Sequence, residues 1–259
     1  MAGRLEGKVA LVTGGASGIG EATSRLIARE GGYVVVADVQ GDAGQTVVAS
    51  IRRDGGDALF IECNVTDRNQ VASMIQRVVD EFGRLDCALN NAGIRGPDFV
   101  TGDYPEDEWD RVINVDLKGV WLCMVYELPR MVEQGGGSIV NMASIAGIVA
   151  FPFISPYNAA KFGVRGLTKA AALEYASQRV RVNAVCPGYV DTRPVTEALE
   201  GTSRDDGYKA LGEVHPMKRM ALPTEVAEVV LWLMSDSSSF VTGTDAVVDG
   251  GYLAGQRVS

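Results

Sequence analysis

The chain has 259 residues, of which 46% are hydrophobic, and its formal net charge at pH 7 is -9. A chain of this length can bury the core of one α/β domain, so we expect a single domain over residues 1–259. An acidic chain whose basic residues form no stripe repels phosphate groups, which argues against nucleic acid and anionic membranes as partners.

Targeting signals and metal-ligand patterns are missing from the sequence. It contains no apolar run close to the roughly 18 residues that span a bilayer, and its first residues lack the apolar stretch of a secretory signal, so we expect a soluble, cytoplasmic protein. Cys63, Cys87, Cys123 and Cys186 form no CxxC pair, which predicts buried, reduced thiols. Because His215 is the only histidine, a multi-histidine metal site is excluded and no metal is expected.

Short β-branched runs alternate with amphipathic stretches along the chain. The first half is predicted to contain the strand VALVTGG, a helix over 18–30, the strand YVVVADV, a helix over 42–53, the strand ALFIECNV, a helix opened by Asp67, and the strand LDCALNNAG. The second half is predicted to contain a long helix over about 105–134, the strand SIVNMAS, a helix over about 156–177, and the strands VRVNAVCPG and AVVDGG. This alternation predicts a doubly wound α/β fold with a seven-stranded parallel sheet flanked by helices.

Residues 189–220 interrupt the alternation. Their helical periodicity is weak, and loop-forming residues cluster between Gly201 and Gly207. A long irregular segment in a compact domain is either functional or evidence against the assignment. Because this segment follows a predicted strand end, we interpret it as a mobile substrate-binding loop.

A glycine-rich segment, TGGASGIG, follows the first predicted strand and leads into a helix near Gly18. Glycines at 14, 18 and 20 let the backbone approach a pyrophosphate, and a helix N-terminus offers free N–H groups to it. An ordinary glycine-rich turn is the alternative. A P-loop is disfavoured, because Glu21 stands where the phosphate-binding lysine belongs.

The second predicted strand ends at Asp38, eighteen positions beyond Gly20. An acidic residue at about this spacing accepts hydrogen bonds from the adenosine ribose of a dinucleotide. The carboxylate would repel a 2′-phosphate, and Val39 supplies no compensating charge, so we predict NAD rather than NADP. A solvated aspartate at a strand end is the alternative.

Tyr157 and Lys161 lie four positions apart on a predicted helix, so their side chains share one face. A neighbouring ammonium favours the phenolate form of a tyrosine, which can then act as a general acid or base. Ser144, at the end of SIVNMAS, can donate a hydrogen bond to a substrate oxygen. Asn114 lies inside a predicted helix that asparagine disfavours. Each of these features has an ordinary alternative. The Tyr157–Lys161 spacing can arise by chance, Ser144 can be a turn residue at a strand end, and Asn114 can be a solvated helix position.

The ordered set of these motifs resembles the short-chain dehydrogenase/reductase family over nearly the whole chain. The set comprises TGGASGIG, Asn90-Asn91-Ala92-Gly93, Asn114, Ser144, Tyr157-x-x-x-Lys161 and Pro187-Gly188. The resemblance implies a Rossmann fold and a hydride transfer between NAD and a secondary alcohol or ketone. It also implies that Tyr157 is the general acid/base, Lys161 activates it, Ser144 orients the substrate and Asn114 holds a relay water.

The resemblance further implies which residues contact the cofactor and the substrate. Those implied for NAD are Gly14, Ser17, Gly18, Ile19, Asp38, Asn64, Val65, Asn91, Ala92, Gly93, Tyr157, Lys161, Pro187, Gly188, Val190 and Thr192. Those implied for the substrate are Ser144, Ile145, Phe151, Tyr157 and Tyr189. The chain departs from the family at Asn64, where many relatives carry an adenine-binding aspartate, and at Ala143, where a second serine is common.

Apolar residues near Ser144 suggest a hydrophobic or alicyclic substrate, although core packing explains them equally well. Arg95 can be interpreted either as a residue that binds an anionic group of the substrate or as an ordinary surface charge. A non-catalytic NAD-binding sensor is the main alternative function, against which the intact Ser144, Tyr157 and Lys161 argue. A sugar epimerase would need a larger substrate domain. The resemblance also implies a homo-oligomer, specifically a tetramer.

Overall fold

Seven strands form one parallel sheet in the computed structural model, which describes residues 3–192 and 204–255. The strands are β1 (Val9–Thr13), β2 (Tyr33–Asp38), β3 (Ala58–Glu62), β4 (Cys87–Asn90), β5 (Gly137–Met142), β6 (Val180–Pro187) and β7 (Asp245–Val248). Their order across the sheet is β3-β2-β1-β4-β5-β6-β7. The predicted doubly wound parallel sheet is confirmed.

Helices cover both faces of the sheet. Those of the described residues are α1 (Gly18–Arg29), α2 (Gly41–Arg53), α3 (Arg68–Phe82), α4 (Glu106–Ile113), α5 (Val120–Glu133), α6 (Ser155–Tyr175), α7 (Arg204–Glu213) and α8 (Pro223–Met234). Short 3-10 turns occupy Thr101–Asp103, Ile145–Gly147, Ala176–Gln178 and Asp236–Ser238. None of these helices combines the length and the apolarity needed to cross a bilayer.

The sheet separates two hydrophobic clusters. On one face, α3, α5 and α6 contribute residues such as Val71 and Val164. On the other face, α1, α2 and α8 contribute residues such as Ile27. Side chains alternate along a strand, so Leu11 of β1 enters the first cluster and Val12 the second. Burial on both faces explains why the strands appear in the sequence as continuous apolar runs.

The strand order reverses at β1, which lies between β2 and β4. Thr13 at the end of β1 pairs with Ala37 on one side and with Asn90 on the other. The carboxyl ends of β1 and β4 therefore finish level, while their following loops leave toward opposite faces. Doubly wound sheets bind ligands in the crevice beyond the strand ends at such a reversal.

The helix predicted over 105–134 is not uniform. Helix α4 ends at Ile113, a π-helical segment covers Asn114–Gly119, and α5 begins at Val120. A π-helical turn closes i→i+5 hydrogen bonds and so holds one extra residue, which a pattern of apolar residues does not reveal. The predicted helical character of this region is confirmed, and the prediction of one uninterrupted α-helix is wrong.

The loop predicted over 189–220 contains a helix. Residues 204–213 form α7, which includes Asp206 and Gly207 of the predicted loop-forming cluster. Tyr208 of α7 donates a hydrogen bond of 2.6 Å to Asp191 Oδ1, just beyond β6. This contact joins α7 to the segment that follows β6. Residues 193–203 of the predicted loop lie outside the described residues, and the mobility of the loop stays a prediction.

A buried polar network lies behind the carboxyl end of β4. Asn90 Nδ2 donates to Glu127 Oε2 of α5 and to Asn141 Oδ1 of β5, both at 3.0 Å. Asn141 Nδ2 in turn donates to Thr168 Oγ1 of α6 at 3.0 Å. Burial raises the pKa of Glu127 to about 7, although the hydrogen bond from Asn90 opposes this. The network ties two strands to the two helices that cover them.

We predict that Glu127→Gln stabilises the protein more at pH 8 than at pH 5. Folding raises the pKa of Glu127, so the folded state binds the extra proton and the wild type loses stability as pH rises from about 4.5 to above 7. Glutamine stays neutral throughout. Urea unfolding of both proteins at the two pH values measures the difference. Glu133→Gln, an exposed change on the same helix, should show no such trend, and an equal effect of Glu127→Gln at both pH values would contradict the prediction.

We predict that Gly14→Ala destabilises the fold far more than Gly7→Ala. Both glycines have positive φ, +63° at Gly14 and +69° at Gly7, so both variants carry the strain of a left-handed residue, about 1 kcal/mol. A Cβ at Gly14 would lie only 2.9 Å from Ala92 Cα, whereas nothing lies within 4 Å of one at Gly7. The free energies of unfolding in urea provide the test. Equal losses would show that the approach of β1 to the loop after β4 is not tight.

Candidate active site

The predicted site residues come from separate motifs but follow adjacent strands. The glycine-rich loop follows β1, Asn91 follows β4, Ser144 follows β5 and Gly188 follows β6. Because β1, β4, β5 and β6 are neighbours in the sheet, these segments share one edge. The fold therefore gathers the motifs that the sequence separates.

The glycine-rich loop is held by the loop after β4. Asn91 Nδ2 donates to the carbonyl oxygens of Thr13 and Gly14, both at 3.1 Å. The backbone amides of Asn91 and Ala92 donate to Thr13 Oγ1 at 3.0 and 3.2 Å. Helix α1 begins at Gly18, whose φ is +53°, and the Ser17 hydroxyl makes no capping bond to it. The helix N-terminus is thus presented to the crevice with its first amides available.

Asp38 lies at the end of β2 beside this loop and is 7% exposed. Its Oδ2 accepts from Ala16 N and its Oδ1 from Gln40 N, both at 3.0 Å. Glu62 lies near the start of α2, since a Cβ at Gly41 would be 3.4 Å from its Oε2. Two acidic side chains, Asp38 and Glu62, therefore lie at the carboxyl ends of β2 and β3.

Asn64 and Val65 follow β3, and both make contacts within the protein. Asn64 Oδ1 accepts from Thr66 N at 3.0 Å and from Thr66 Oγ1 at 2.9 Å. Val65 is buried against Gly119, where a Cβ would lie 2.8 Å from Val65 Cγ2. The side-chain oxygen that would receive an adenine amino group is thus already engaged by its own turn. Ile19, on the first turn of α1, packs partly against the core.

Tyr157 and Lys161 face each other on α6. Lys161 Nζ lies 5.3 Å from the centre of the Tyr157 ring, and Lys161 is only 3% exposed. Burial alone would lower the pKa of Lys161, but the negative charge of Asp116 and the nearby Tyr157 outweigh it, so the pKa is raised. The lysine is held as an ammonium next to the phenol.

Ser144 caps the turn that follows β5. Its Oγ accepts from Ala146 N at 3.1 Å and opens the 3-10 turn Ile145–Gly147. The hydroxyl hydrogen is not used in that bond and can be donated to a ligand. Asn114 opens the π-helical segment, and this segment packs against α6.

Asp116 is a residue that the sequence-based reasoning missed. It is fully buried, and its Oδ2 lies 3.0 Å from Lys161 Nζ. The signal was an acidic residue within the apolar stretch INVDLKG, two positions after Asn114. A buried carboxylate needs a partner, and the pattern indicates the need without naming Lys161.

The loop after β6 returns over the glycine-rich loop. Gly188 N donates to Val248 O at 2.9 Å beyond Pro187, and Val190 forms a β-bridge with Ala221. A Cβ at Gly18 would lie 3.1 Å from Thr192 Cγ2, so Thr192 contacts the loop at the start of α1. The end of β6 and the glycine-rich loop therefore border the same crevice.

Aromatic rings cluster on the loops that follow β5, β6 and β7. Phe151 contacts Tyr189 and Tyr252, with ring centres 6.4 and 6.1 Å apart, and Tyr189 contacts His215 at 5.7 Å. Tyr252 follows β7 and was not predicted, because nothing in the sequence links it to Phe151. Together these rings form one aromatic cluster.

Two other residues were considered for substrate contact, Ile145 and Arg95. Ile145 is buried rather than exposed at the sheet edge. Arg95 is paired with Asp98 at 2.6 Å. Of the two interpretations of Arg95, an ordinary surface charge fits this ion pair better than an anion-binding group.

Known proteins of similar sequence are oxidoreductases. A family model described as enoyl-(acyl carrier protein) reductase matches residues 14–253. Cyclohexanol dehydrogenase of Acinetobacter sp. (strain SE19) is 44% identical over 252 residues, which cover 97% of each chain. The 3-oxoacyl-[acyl-carrier-protein] reductase FabG of Thermotoga maritima is 44% identical over 248 residues, covering 96% of this chain and 98% of FabG.

Solved structures agree with these relatives. Levodione reductase superposes with a TM-score of 0.93 at 35% identity, covering 97% of this chain and 100% of that one. A short-chain type dehydrogenase/reductase from Mycobacterium marinum superposes with a TM-score of 0.89 at 38% identity, covering 97% of both chains. From its sheet order, its gathered motifs and these similarities, the chain belongs to the short-chain dehydrogenase/reductase family.

Proposed function

We propose that the protein transfers a hydride between NAD and a hydrophobic or alicyclic secondary alcohol or ketone, with Tyr157 as general acid/base. The observation that carries the proposal is the buried ammonium of Lys161, 5.3 Å from the centre of the Tyr157 ring. An ammonium so placed stabilises the phenolate form of the tyrosine. Ser144 lies at the end of β5, the strand whose last residue, Met142, also contacts Lys161.

The residues of the crevice fit a dinucleotide. Gly14 and Gly18 have positive φ, and their lack of a Cβ lets the glycine-rich loop pack closely against Ala92 and Thr192, which border the crevice. The amides at the start of α1 suit a pyrophosphate. Asp38 suits the two hydroxyls of an adenosine ribose, and its charge, with Glu62 nearby, disfavours a 2′-phosphate.

NAD, when bound, supplies the acceptor for the hydride, and the chain supplies orientation and proton transfer. In the direction of oxidation, Ser144 donates a hydrogen bond to the substrate oxygen while Tyr157, as phenolate, removes the hydroxyl proton. Lys161 stabilises the phenolate, and its position also suits a ribose hydroxyl. Asn114 would hold the water through which the proton leaves. Reduction follows the same path in reverse.

The aromatic cluster supports a substrate with a hydrophobic ring. Phe151, Tyr189 and Tyr252 form a cluster on the loops after β5, β6 and β7, at the same ends of the strands as Ser144 and Gly188. Among similar proteins are cyclohexanol dehydrogenase and the cis-4-hydroxycyclohexanecarboxylate dehydrogenase of Sinomonas cyclohexanicum, the latter 44% identical over 247 residues. We therefore propose cyclohexanol and its substituted derivatives as the first substrates to test.

We further propose a cytoplasmic homotetramer. Apolar side chains are exposed on the helices that would pair, with Trp121 of α5 at 41%, Phe162 of α6 at 44% and Leu173 of α6 at 85%. Exposed apolar side chains on adjacent helices favour association between copies of a chain. The four cysteines are free and buried, as expected of a protein in a reducing compartment.

We predict that Tyr157→Phe lowers the oxidation of cyclohexanol by about 100-fold or more, because the variant has no group to accept the proton. NADH binding, followed by fluorescence, should change little. Tyr175→Phe removes the same hydroxyl from the far end of α6 and should leave turnover intact. Retention of more than a few per cent of activity by Tyr157→Phe would refute its role, and NAD binding without turnover of any alcohol by the wild type would favour a sensor.

We predict that kcat/KM with NAD exceeds that with NADP by about tenfold or more, equivalent to about 1.4 kcal/mol. Asp38→Asn should reduce this ratio, because it removes the charge that repels a 2′-phosphate. Asp42→Asn, an exposed change of the same charge on the first turn of α2, serves as the control. Equal use of the two cofactors by the wild type would exclude the role assigned to Asp38.

A further inference from the structure

Asp116 is a buried carboxylate for which the mechanism above has no use. Its Oδ2 lies 3.0 Å from Lys161 Nζ, and its Oδ1 accepts from Ile94 N at 2.8 Å. Oδ1 therefore accepts a hydrogen bond from the loop after β4, and Oδ2 forms an ion pair with α6. The carboxylate is itself fully buried, so water does not compete for these contacts.

Two acceptors determine the place of the Lys161 ammonium. Nζ contacts Asp116 Oδ2 at 3.0 Å and donates to Met142 O at 3.1 Å. An ammonium has three N–H groups, so with a hydrogen bond to Met142 O and an ion pair with Asp116 at least one donor remains for a ligand in the crevice. Because the two acceptors come from the π-helical segment and from β5, the direction of the remaining donor depends on both.

The negative charge of Asp116 also favours the ammonium form of Lys161, although burial raises the pKa of Asp116 itself. Burial favours the neutral amine, and removing one partner of a buried ion pair leaves an uncompensated charge. Other titratable groups near the pair are Tyr157 on α6 itself, Cys186 on β6 and, acting on Asp116, Arg111 on α4. Burial raises the pKa of the Cys186 thiol to about 11, so this group is neutral near pH 7 and contributes no charge. Asp116 is thus the counter-ion in direct contact with Lys161.

The same carboxylate fixes the backbone of the loop after β4. Besides the bond from Ile94, Gly93 packs directly on the ion pair, since a Cβ there would lie 3.0 Å from Asp116 Oδ2 and 3.5 Å from Lys161 Nζ. A change at Asp116 therefore reaches both the lysine and a segment that borders the cofactor crevice.

We propose that Asp116 is a positioning residue, which holds Lys161 charged beside Tyr157 and ties it to the loop 91–94. Its effect on turnover rests on the function proposed above, whereas its effect on Lys161 does not. Asp116 acts through Lys161 and needs no contact with the substrate.

The direct test is the titration of Lys161 in protein containing 13C-labelled lysine, followed by NMR without added cofactor. In the wild type the Lys161 signal should keep the shift of an ammonium to about pH 10. In Asp116→Asn the midpoint should fall by about one pH unit or more, because the amide carries no charge. Asp110→Asn, an exposed change of the same charge on α4, should leave the midpoint unchanged. An unchanged midpoint in Asp116→Asn would overturn the proposal.

The second test is the pH dependence of cyclohexanol oxidation. In Asp116→Asn, kcat should fall about tenfold or more at alkaline pH, where the wild type stays active, and fall less near pH 7. A purely structural role would instead lower kcat by the same factor at every pH. That result would overturn the proposal.

The two tests separate failure of this inference from failure of the proposed function. If the wild type oxidises no alcohol, the dehydrogenase proposal fails and the lysine titration alone decides the role of Asp116. If Asp116→Asn does not fold, the wild-type titration still decides, since a Lys161 that loses its proton below about pH 9 cannot be held by Asp116 as proposed.

Discussion

The close approach of β1 and β4 at the reversal of strand order is the constraint on which the site depends. There the Thr13 hydroxyl accepts hydrogen bonds from two backbone amides of the neighbouring loop. The side-chain amide of Asn91 donates to the carbonyl oxygens of Thr13 and Gly14. No side chain fits between the two backbones, which is why Gly14 faces Ala92. These bonds set the direction in which the chain enters α1 and the position of the loop 91–94.

Contacts continue from this junction to the pair formed by Tyr157 and Lys161. The loop 91–94 meets Asp116 through Ile94, Asp116 meets Lys161, and Lys161 lies beside Tyr157. Each contact joins a different element, so the geometry of the site depends on the packing of β4, the π-helical segment and α6. Charges buried in this way interact more strongly than they would in water, because the surroundings are less polarisable.

Local patterns are sufficient to predict the strands, the glycine-rich loop, Asp38 and the Tyr157–Lys161 pair, because each depends on residues close in sequence. Contacts between distant residues are not predictable in this way. Asp116 shows its need for a partner in the sequence, but Lys161 follows 45 positions later in a different helix. Tyr252 joins Phe151 only because β7 lies at the edge of the folded sheet. Helix α7 contacts Asp191 through Tyr208, and the weak periodicity of residues 189–220 indicates neither the helix nor this contact.

The π-helical segment carries a further consequence for how the chain can vary in length. If the same residues formed a regular α-helix, everything after the segment would be turned by roughly 100°, the angle between successive residues of a helix. Asp116 faces the lysine within the segment, while Cys123 and Met124 beyond it face the sheet. Deletion of a single residue here would therefore convert the π-helical turn into regular α-helix without turning α5 away from the sheet, but it would remove the turn that presents Asp116 to Lys161.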